Sequence, residues 1–261
     1  MGKLSTLLQN ALNFLVPAKK KPNFTSAVIV AGGSSTRMGG GISKQFLEID
    51  GIPVIVHTLL AFERTPEIDE IIVVAKENEI EQYKGFKSTY GITKLKRAVV
   101  GGQTRQQSAE KGFLAISGKS GYVAIHDGAR CLITPEEISA VCQAAYSCDA
   151  ATAATRATDT IKLATENGFI EKTVDRNAVW HAQTPQMFNA DLYRAALAVG
   201  QRDGVKVTDD CSLVEHIEHP IKLVECSKNN IKITTADDIP HAAAIIKKRK
   251  KLKKEAEEAS K

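Results

Sequence analysis

The chain has 261 residues, of which 43% are hydrophobic and 25% are charged, and its formal net charge is +5. This length and composition fit one substantial α/β core and argue against a second full domain. No apolar run reaches about 18 residues, so we predict no membrane-spanning helix.

The positive charge is concentrated at the C-terminus. Residues 247–261 hold eight Lys or Arg and three Glu, which accounts for the net charge of the whole chain. We interpret this tail as the solvated end of a C-terminal helix, whose dipole favours cations there. Contact with nucleic acid or anionic lipid is the alternative. We expect no nucleic-acid partner, because no aromatic residues lie among the basic ones.

The N-terminus and the cysteines bear on location. Residues 1–23 form an extension typical of a surface helix rather than a signal peptide, because Gln9, Asn10 and Asn13 interrupt its apolar stretch. The five cysteines form no C-x-x-C pair, and their odd number predicts reduced thiols in a cytoplasmic protein. No His/Cys cluster has the spacing of zinc ligands.

Between these ends, over residues 24–246, apolar β-branched runs alternate with helical patterns. This alternation predicts βαβ units, and therefore a Rossmann-like α/β fold with a mainly parallel sheet flanked by helices. The predicted strands are 26–31, 70–75, 96–100, 121–126, 150–156 and 221–225. The predicted helices are 53–64, 77–89, 104–117 and 135–147, and Thr134 is placed to cap the last one.

Residues 157–178 depart from this rhythm. They alternate with period two around Glu166-Asn167-Gly168, and Asn-Gly between two such runs indicates a β-hairpin. A two-stranded arm that leaves the α/β body cannot bury both of its faces by itself. We therefore predict a protruding β-arm that packs on a second copy of the chain in a homodimer.

The loop after the first predicted strand is the most informative segment. Residues 31–45 read A-G-G-S-S-T-R-M-G-G-G-I-S-K-Q, with Arg37 and Lys44 as its two cations. Small residues let backbone N–H groups approach a polyanion, and the cations balance its charge. Neither G-x-x-x-x-G-K-[ST] nor G-x-G-x-x-G is present, which disfavours P-loop NTPases and dinucleotide-binding proteins. The pattern indicates a loop that wraps a nucleoside triphosphate; an ordinary Gly-rich connection is the alternative.

Two further loops also connect a strand to a helix. Residues 101–108, G-G-Q-T-R-Q-Q-S, place two glycines where a base or sugar can come close, although a plain helix N-terminus is equally compatible. Residues 126–130, H-D-G-A-R, place Asp127 at the carboxyl end of a parallel strand, where α/β folds bind ligands. Asp127 is a candidate for a metal, a ribose hydroxyl or a substrate hydroxyl; a helix cap or an ion pair with Arg130 remains the alternative.

Two later segments complete the set. They are T-V-D-R-N-A-V-W-H-A-Q-T-P-Q-M-F at residues 173–188 and N-I-K-I-T at residues 230–234. Lys232 interrupts a β-branched run, so in a buried strand its ammonium needs an anion or an exit to solvent; a solvent-facing lysine on an edge strand is the alternative. Together, the five segments resemble the 2-C-methyl-D-erythritol 4-phosphate cytidylyltransferase family of the non-mevalonate isoprenoid pathway, over residues 24–246.

The resemblance implies an enzyme that transfers CMP from CTP to 2-C-methyl-D-erythritol 4-phosphate and releases pyrophosphate, with Mg²⁺ or another divalent cation. It implies catalytic roles for Arg37 and Lys44. The CTP-binding positions that it implies are Ala31, Gly32, Gly33, Gly101, Gly102, Ser108, Asp127, Gly128 and Ala129. The acceptor-binding positions are Arg130, Thr160, Arg176, Thr184 and Lys232. Asp127 is also the implied metal ligand, directly or through water, and the arm would carry Thr160 and Arg176 to the partner's site.

Two positions depart from the family pattern. Ser35 replaces a usual glycine in the first loop, and Cys131 replaces a usual proline after Arg130, which removes the rigid φ of proline. Two other functions remain to be distinguished. One is a ribitol 5-phosphate cytidylyltransferase, against which the D-R-N-x-x-W segment argues. The other is a catalytically silent scaffold that uses the arm and the basic tail.

Overall fold

The computed structural model describes residues 23–33 and 43–259. Its strands are β1 (Thr25–Val30), β2 (Glu48–Ile49), β3 (Ile52–Pro53), β4 (Ile68–Ala75), β5 (Leu95–Val100), β6 (Tyr122–Asp127), β7 (Ala150–Arg156), β8 (Lys162–Ala164), β9 (Ile170–Thr173), β10 (Trp180–Asn189) and β11 (Lys222–Glu225). Its α-helices are α1 (Val54–Arg64), α2 (Ile80–Tyr90), α3 (Arg105–Leu114), α4 (Pro135–Cys148), α5 (Ala190–Arg202), α6 (Cys211–His216) and α7 (Asp238–Ala259).

A seven-stranded sheet forms the centre, in the order β11-β7-β10-β6-β1-β4-β5. Strand β10 runs antiparallel to its neighbours β6 and β7, and the remaining pairs are parallel. The prediction of a mainly parallel sheet flanked by helices is therefore confirmed. The carboxyl ends of β1, β4, β5 and β6 meet at one edge, which is where the loops named above emerge.

Side chains of the sheet alternate between two apolar layers, as the two-residue period of a strand requires. In β1, Ala27 and Ile29 face a layer that α1, α2 and α4 cover. Val28 faces the opposite layer, which α3, α5 and α6 cover. With both faces buried, the inner strands read as continuous apolar runs, and this made them recognisable in the sequence.

All six predicted strands are present, with ends displaced by at most two residues. The four predicted helices are also present, although the one predicted over 77–89 begins as a 3₁₀ turn at Glu77–Glu79. Thr134 caps α4 as predicted, in a capping box in which Glu137 bonds back to the Thr134 N–H. The sequence patterns above did not predict β10 as a strand, or α5 and α6 as helices.

The hairpin predicted within residues 157–178 is confirmed as the antiparallel pair β8–β9. Gly168 in the turn has a φ of 81°, a conformation that glycine adopts without strain. Every residue of both short strands is exposed, including Leu163 and Ile170. The arm therefore has no face that packs on the body of its own chain.

The C-terminal helix α7 is continuous across residue 246, the predicted boundary between body and tail. Its buried side chains are Ala242 and Ile246, which join a third apolar cluster with Ile233 and Cys131. Beyond Ile246, cations on α7 pair with glutamates four residues on, for example Lys251 with Glu255 at 3.6 Å. Among the described helices, none has the length and apolarity needed to cross a membrane.

Candidate functional site

A cavity of about 500 Å³ opens at the edge where the carboxyl ends of β1, β4, β5 and β6 meet. Its walls are lined by Val30, Gly32, Gly33, Lys44, Gln45, Lys76, Gly102, Gln103, Thr104, Arg105, Ser108, Asp127, Ala129, Lys232 and Thr234. Eight of these are residues that the resemblance assigned: Gly32, Gly33, Lys44, Gly102, Ser108, Asp127, Ala129 and Lys232. The tertiary structure thus gathers into one place segments that lie up to 200 residues apart.

The side chains that line the cavity carry more positive than negative charge. Lys44, Lys76, Arg105 and Lys232 line it, and Asp127 is its one carboxylate within the described residues. Arg105 and Lys76 also pair with acids outside the lining, Asp210 and Glu79, and an excess of positive charge remains. Such a wall suits a polyanionic ligand of phosphate chemistry.

Asp127 is the centre of the charged groups. Its Oδ1 accepts from Arg105 Nε at 3.1 Å, and its Oδ2 accepts from Lys232 Nζ at 2.8 Å. Arg130 Nε lies 3.8 Å from Oδ2. Burial by itself raises the pKa of Asp127, but the charges of Arg105 and Lys232 outweigh it and hold the pKa well below its usual range. The carboxylate is therefore ionised at neutral pH.

Buried hydrogen bonds fix the backbone of Asp127. Its N–H donates to the Thr184 hydroxyl at 3.1 Å, and that hydroxyl lies 3.0 Å from His126 Nδ1. His126 Nε2 lies 3.2 Å from the Arg130 carbonyl, to which it must donate. Burial lowers the pKa of His126 to about 3, so the ring is neutral and Nδ1 accepts from Thr184. Thr184 is buried on this network and positions the strand end.

The first loop begins in the cavity. Ala31 is buried and its N–H donates to the Val74 carbonyl at 2.7 Å, which ties the loop to β4. At the other end of the loop, Lys44 Nζ donates to the Ile233 carbonyl at 3.2 Å. Arg37 and Ser35, with the rest of residues 34–42, lie outside the described residues, so the predictions made for them stay predictions.

The segment after β5 is held by its own side chains. Ser108 Oγ accepts from the Gly102 N–H at 3.0 Å and donates to the Thr104 carbonyl at 2.9 Å. Thr104 caps α3 in a capping box with Gln107. Gly101 lies just behind the cavity wall, where its N–H donates to the Ala75 carbonyl at 2.9 Å. The first turn of α3 is therefore a rigid part of the wall.

The glycine of H-D-G-A-R serves packing. Gly128 is buried, and a Cβ placed on it would lie 2.8 Å from Ile55 Cδ1. Its carbonyl accepts from the Thr58 hydroxyl at 2.8 Å. Cys131, which replaces the usual proline after Arg130, is 4% exposed, and burial raises the pKa of its thiol to about 12. Cys131 thus fills a place in the apolar cluster under α7.

Of the residues predicted to bind the acceptor, Lys232 and Arg130 lie near Asp127, whereas Arg176 and Thr160 lie elsewhere. Arg130 Nη1 donates to the Asn230 carbonyl at 2.8 Å. Arg176 Nη1 donates to the Thr158 carbonyl at 3.2 Å, at the base of the arm. Arg176 lines a second cavity of about 490 Å³, beside Arg156 and Lys228, and Thr160 is exposed.

The sequence reading missed Arg105, Lys76 and Gln45 as cavity residues. A usable signal existed for Arg105, which is the first residue of α3. A cation there is opposed by the positive end of the helix dipole, so it calls for a carboxylate partner. No local pattern distinguishes Lys76 or Gln45. Within the described residues, no group of three or more His, Cys, Asp or Glu side chains is arranged to hold a metal ion.

Comparisons with known proteins agree with one another. The sequence model of the 2-C-methyl-D-erythritol 4-phosphate cytidylyltransferase family matches residues 25–248. Relatives of that name from Pelotomaculum thermopropionicum and Syntrophus aciditrophicus are each 40% identical; the first match covers 86% of this chain and 94% of the relative, the second 85% and 95%.

Solved structures give the same result. The structure of 4-diphosphocytidyl-2C-methyl-D-erythritol synthase from Anaerococcus prevotii has a TM-score of 0.78 at 32% identity and covers 87% of this chain and 100% of that one. The 2-C-methyl-D-erythritol 4-phosphate cytidylyltransferase of Francisella tularensis has a TM-score of 0.70 at 30% identity, with coverage of 84% and 98%.

Proposed function

The chain belongs to the 2-C-methyl-D-erythritol 4-phosphate cytidylyltransferase family, and we propose that its cavity transfers CMP from CTP to 2-C-methyl-D-erythritol 4-phosphate. The observation that carries this proposal is that Arg105 and Lys232 both bond the ionised Asp127, in a cavity at one sheet edge that Lys44 also lines. Such a site can hold two phosphate-bearing substrates together. Family membership favours this acceptor over ribitol 5-phosphate.

The chemistry needs charge balance rather than a base. An oxygen of the acceptor phosphate attacks the α-phosphorus of CTP, and the bond from that phosphorus to the β-phosphate oxygen breaks. The electron pair leaves with pyrophosphate. A phosphate monoester has a second pKa of about 6, so the attacking oxygen is already anionic at neutral pH. The protein's task is to bring two anions into line and to offset the charge that develops between them.

Lys44 is placed for this task. Its ammonium is at the cavity wall, held by the Ile233 carbonyl next to Lys232. We assign to Lys44, together with Arg37 from the loop, the stabilisation of charge at the α-phosphorus. Gly32, Gly33, Gly102 and Ser108, with Ala31 and Gly101 behind them, form the side of the cavity that we assign to the nucleotide. Asp127 and Ala129 also line the cavity, and we assign them to the nucleotide together with the buried Gly128 between them.

We assign the acceptor phosphate to Lys232 and Arg130. Both lie within 4 Å of the Asp127 carboxylate, and a phosphate brought to this place compensates their charge as the carboxylate now does. Thr184 contributes indirectly, since its hydroxyl holds the Asp127 N–H.

Arg176 and Thr160 serve the acceptor only across a subunit boundary. Both lie on or beside the arm, and neither lines the cavity around Asp127. The arm also exposes Phe169 by 74% and Ile170 by 66%, which a single chain leaves uncovered. We infer a homodimer in which the arm of one chain covers the partner and brings Arg176 and Thr160 to the partner's cavity.

We further infer a divalent cation, Mg²⁺ in the first instance. Mg²⁺ is commonly held by one or two carboxylates together with substrate phosphates. Asp127 fits this, because it is ionised and faces the cavity. Bound there, directly or through water, Mg²⁺ would neutralise charge on the phosphates of CTP.

The cysteines bear on the cellular location of the enzyme. All five are free, which is typical of a reducing compartment, and we infer a cytoplasmic location. The exposed cations of α7 are partly matched by its own glutamates, which supports a solvated helix end without nucleic acid.

One assay tests the function. Pyrophosphate release is measured with CTP and Mg²⁺ in the presence of 2-C-methyl-D-erythritol 4-phosphate, ribitol 5-phosphate or neither. We expect release with the first acceptor only. Release with ribitol 5-phosphate alone would establish the alternative acceptor, and no release with either would support a silent scaffold.

A further inference from the structure

Arg105 lies between two buried aspartates. Its Nε donates to Asp127 Oδ1 at 3.1 Å and its Nη1 donates to Asp210 Oδ2 at 2.7 Å. The side chain of Asp127 is 10% exposed, and that of Asp210 is 1% exposed. The two bonds use different edges of a planar guanidinium, so Arg105 cannot turn away from one aspartate without losing the other.

Asp210 is held in turn by groups outside the cavity. The Tyr193 hydroxyl donates to its Oδ1 at 2.7 Å, and its backbone N–H donates to Gln186 Oε1 at 2.8 Å. Gln186 Nε2 donates to Asp209 Oδ2 at 2.8 Å. Because Tyr193 lies on α5 and Gln186 on β10, these bonds tie Asp210 to two elements of the buried core.

The other cations beside Asp127 are held less firmly. Lys232 reaches Oδ2 on a flexible stem and is 38% exposed, and Arg130 Nε lies 3.8 Å away. Our assignment gives both to the acceptor phosphate, whose oxygens then compete with Asp127 for them. Arg105, by contrast, is bonded both to Asp127 and to a second buried carboxylate, Asp210.

We propose that Asp210 and Arg105 form a positioning pair that holds the Asp127 carboxylate in place while Lys232 and Arg130 engage the acceptor. This inference rests on the proposed function of the cavity. Arg105 acts through Asp127, and Asp210 acts through Arg105. Loss of a partner that orients a site residue commonly lowers activity by about 10- to 100-fold, and we expect this range for either substitution.

A double-mutant cycle on kcat/KM tests the proposal, with Arg105→Met, Asp210→Asn and the double variant. If Asp210 acts through Arg105, Asp210→Asn lowers kcat/KM by about tenfold or more in the wild-type background. In the Arg105→Met background it then has less than about a threefold effect, because the path to Asp127 is already cut. Independent, multiplicative losses would overturn the proposal, because they indicate a structural role for Asp210.

A surface pair supplies the matched control. Arg202 Nε donates to Asp203 Oδ1 at 2.7 Å on the exposed end of α5, and we expect Arg202→Met and Asp203→Asn to leave kcat/KM unchanged. If Arg105→Met does not fold, Arg105→Lys replaces it, since a lysine keeps the charge but cannot bridge both carboxylates. Asp210→Asn must then have little effect in that background, and unchanged kcat/KM in Arg105→Lys would overturn the proposal.

The same measurements separate this inference from the function on which it rests. A wild-type protein that releases no pyrophosphate refutes the proposed function. An active wild type, together with Arg105 and Asp210 variants that match the surface controls, refutes only the positioning pair.

Discussion

Gly102 offers a sharp test of the packing behind the part of the cavity wall that we assign to the nucleotide. A Cβ on Gly102 would lie 2.3 Å from Gln107 Cβ and 3.1 Å from the Gln107 carbonyl carbon. Gln107 cannot yield without breaking the capping box that starts α3. Its Oε1 also accepts from the Gln103 N–H at 2.8 Å. Gly102→Ala therefore strains both the helix start and the cavity wall.

The size of the effect follows from three contributions. Overpacking typically costs about 1–3 kcal/mol, and loss of an N-cap costs about 1 kcal/mol. The lower entropy of the unfolded chain returns about 0.4–1 kcal/mol. We expect Gly102→Ala to lower the free energy of unfolding by about 1–4 kcal/mol. At about 2–4 °C per kcal/mol, the melting temperature falls by several degrees.

Gly118→Ala is the matched control. A Cβ on Gly118 meets no atom within 4 Å, so only the unfolded-state contribution remains and stability should stay equal or rise slightly. Both variants are followed by thermal denaturation with circular dichroism, and the KM for CTP is measured in parallel. We expect KM to rise for Gly102→Ala alone. A melting temperature for Gly102→Ala at or above that of Gly118→Ala would refute the packing argument.

Three further predictions concern catalysis, the sharing of sites between subunits, and pH. Lys44→Ala should lower kcat far more than it raises the KM for CTP, because we assign its ammonium to charge that develops in the transition state; an unchanged kcat refutes that role. Mixing Lys44→Ala with Arg176→Ala chains should restore part of the activity if sites are shared between subunits, and no recovery in confirmed heterodimers argues against the crossing arm. Burial lowers the pKa of His57, whose Nε2 donates to the Ile49 carbonyl at 2.8 Å. As the pH falls below about 6.5, His57 is therefore protonated in the unfolded chain before it is protonated in the folded one. The free energy of unfolding decreases in this range, by at most about 1.4 kcal/mol per pH unit. Denaturant unfolding at pH 7 and pH 5 should give a smaller pH dependence for His57→Gln than for wild type, and equal dependence contradicts this role.

Much of the fold could be predicted because most of its strands and helices have recognisable patterns in the local sequence. The inner strands are buried on both faces and read as apolar β-branched runs, and the arm carries a recognisable Asn-Gly turn. Strand β10 was not predicted, and the reason is physical. Pro185 removes a ladder hydrogen bond, so a central strand is not expected there. The structure accommodates it with a register shift between Ala182 and Gln186 against β7.

The candidate site, too, could be predicted only in part from the sequence. The glycine-rich loop, H-D-G-A-R and N-I-K-I-T were recognisable as motifs, and the tertiary structure brings Lys44, Asp127 and Lys232 to one cavity. Thr184 illustrates the limit of a motif, because its hydroxyl lies buried between Asp127 and His126. A motif identifies the residue, whereas the direction of the side chain depends on the elements packed around it.

The amino-acid sequence by itself determined the family, the order of most strands and helices, and the residue types that phosphate chemistry requires. These depend on neighbours within a few positions of one another along the chain. Only the tertiary structure decided that Arg105 bonds both Asp127 and Asp210, although Asp210 lies 105 positions after Arg105 in the chain. It alone also separated Arg176 from the cavity of its own chain. Charge pairing of this kind depends on distance in space, which local sequence patterns do not encode.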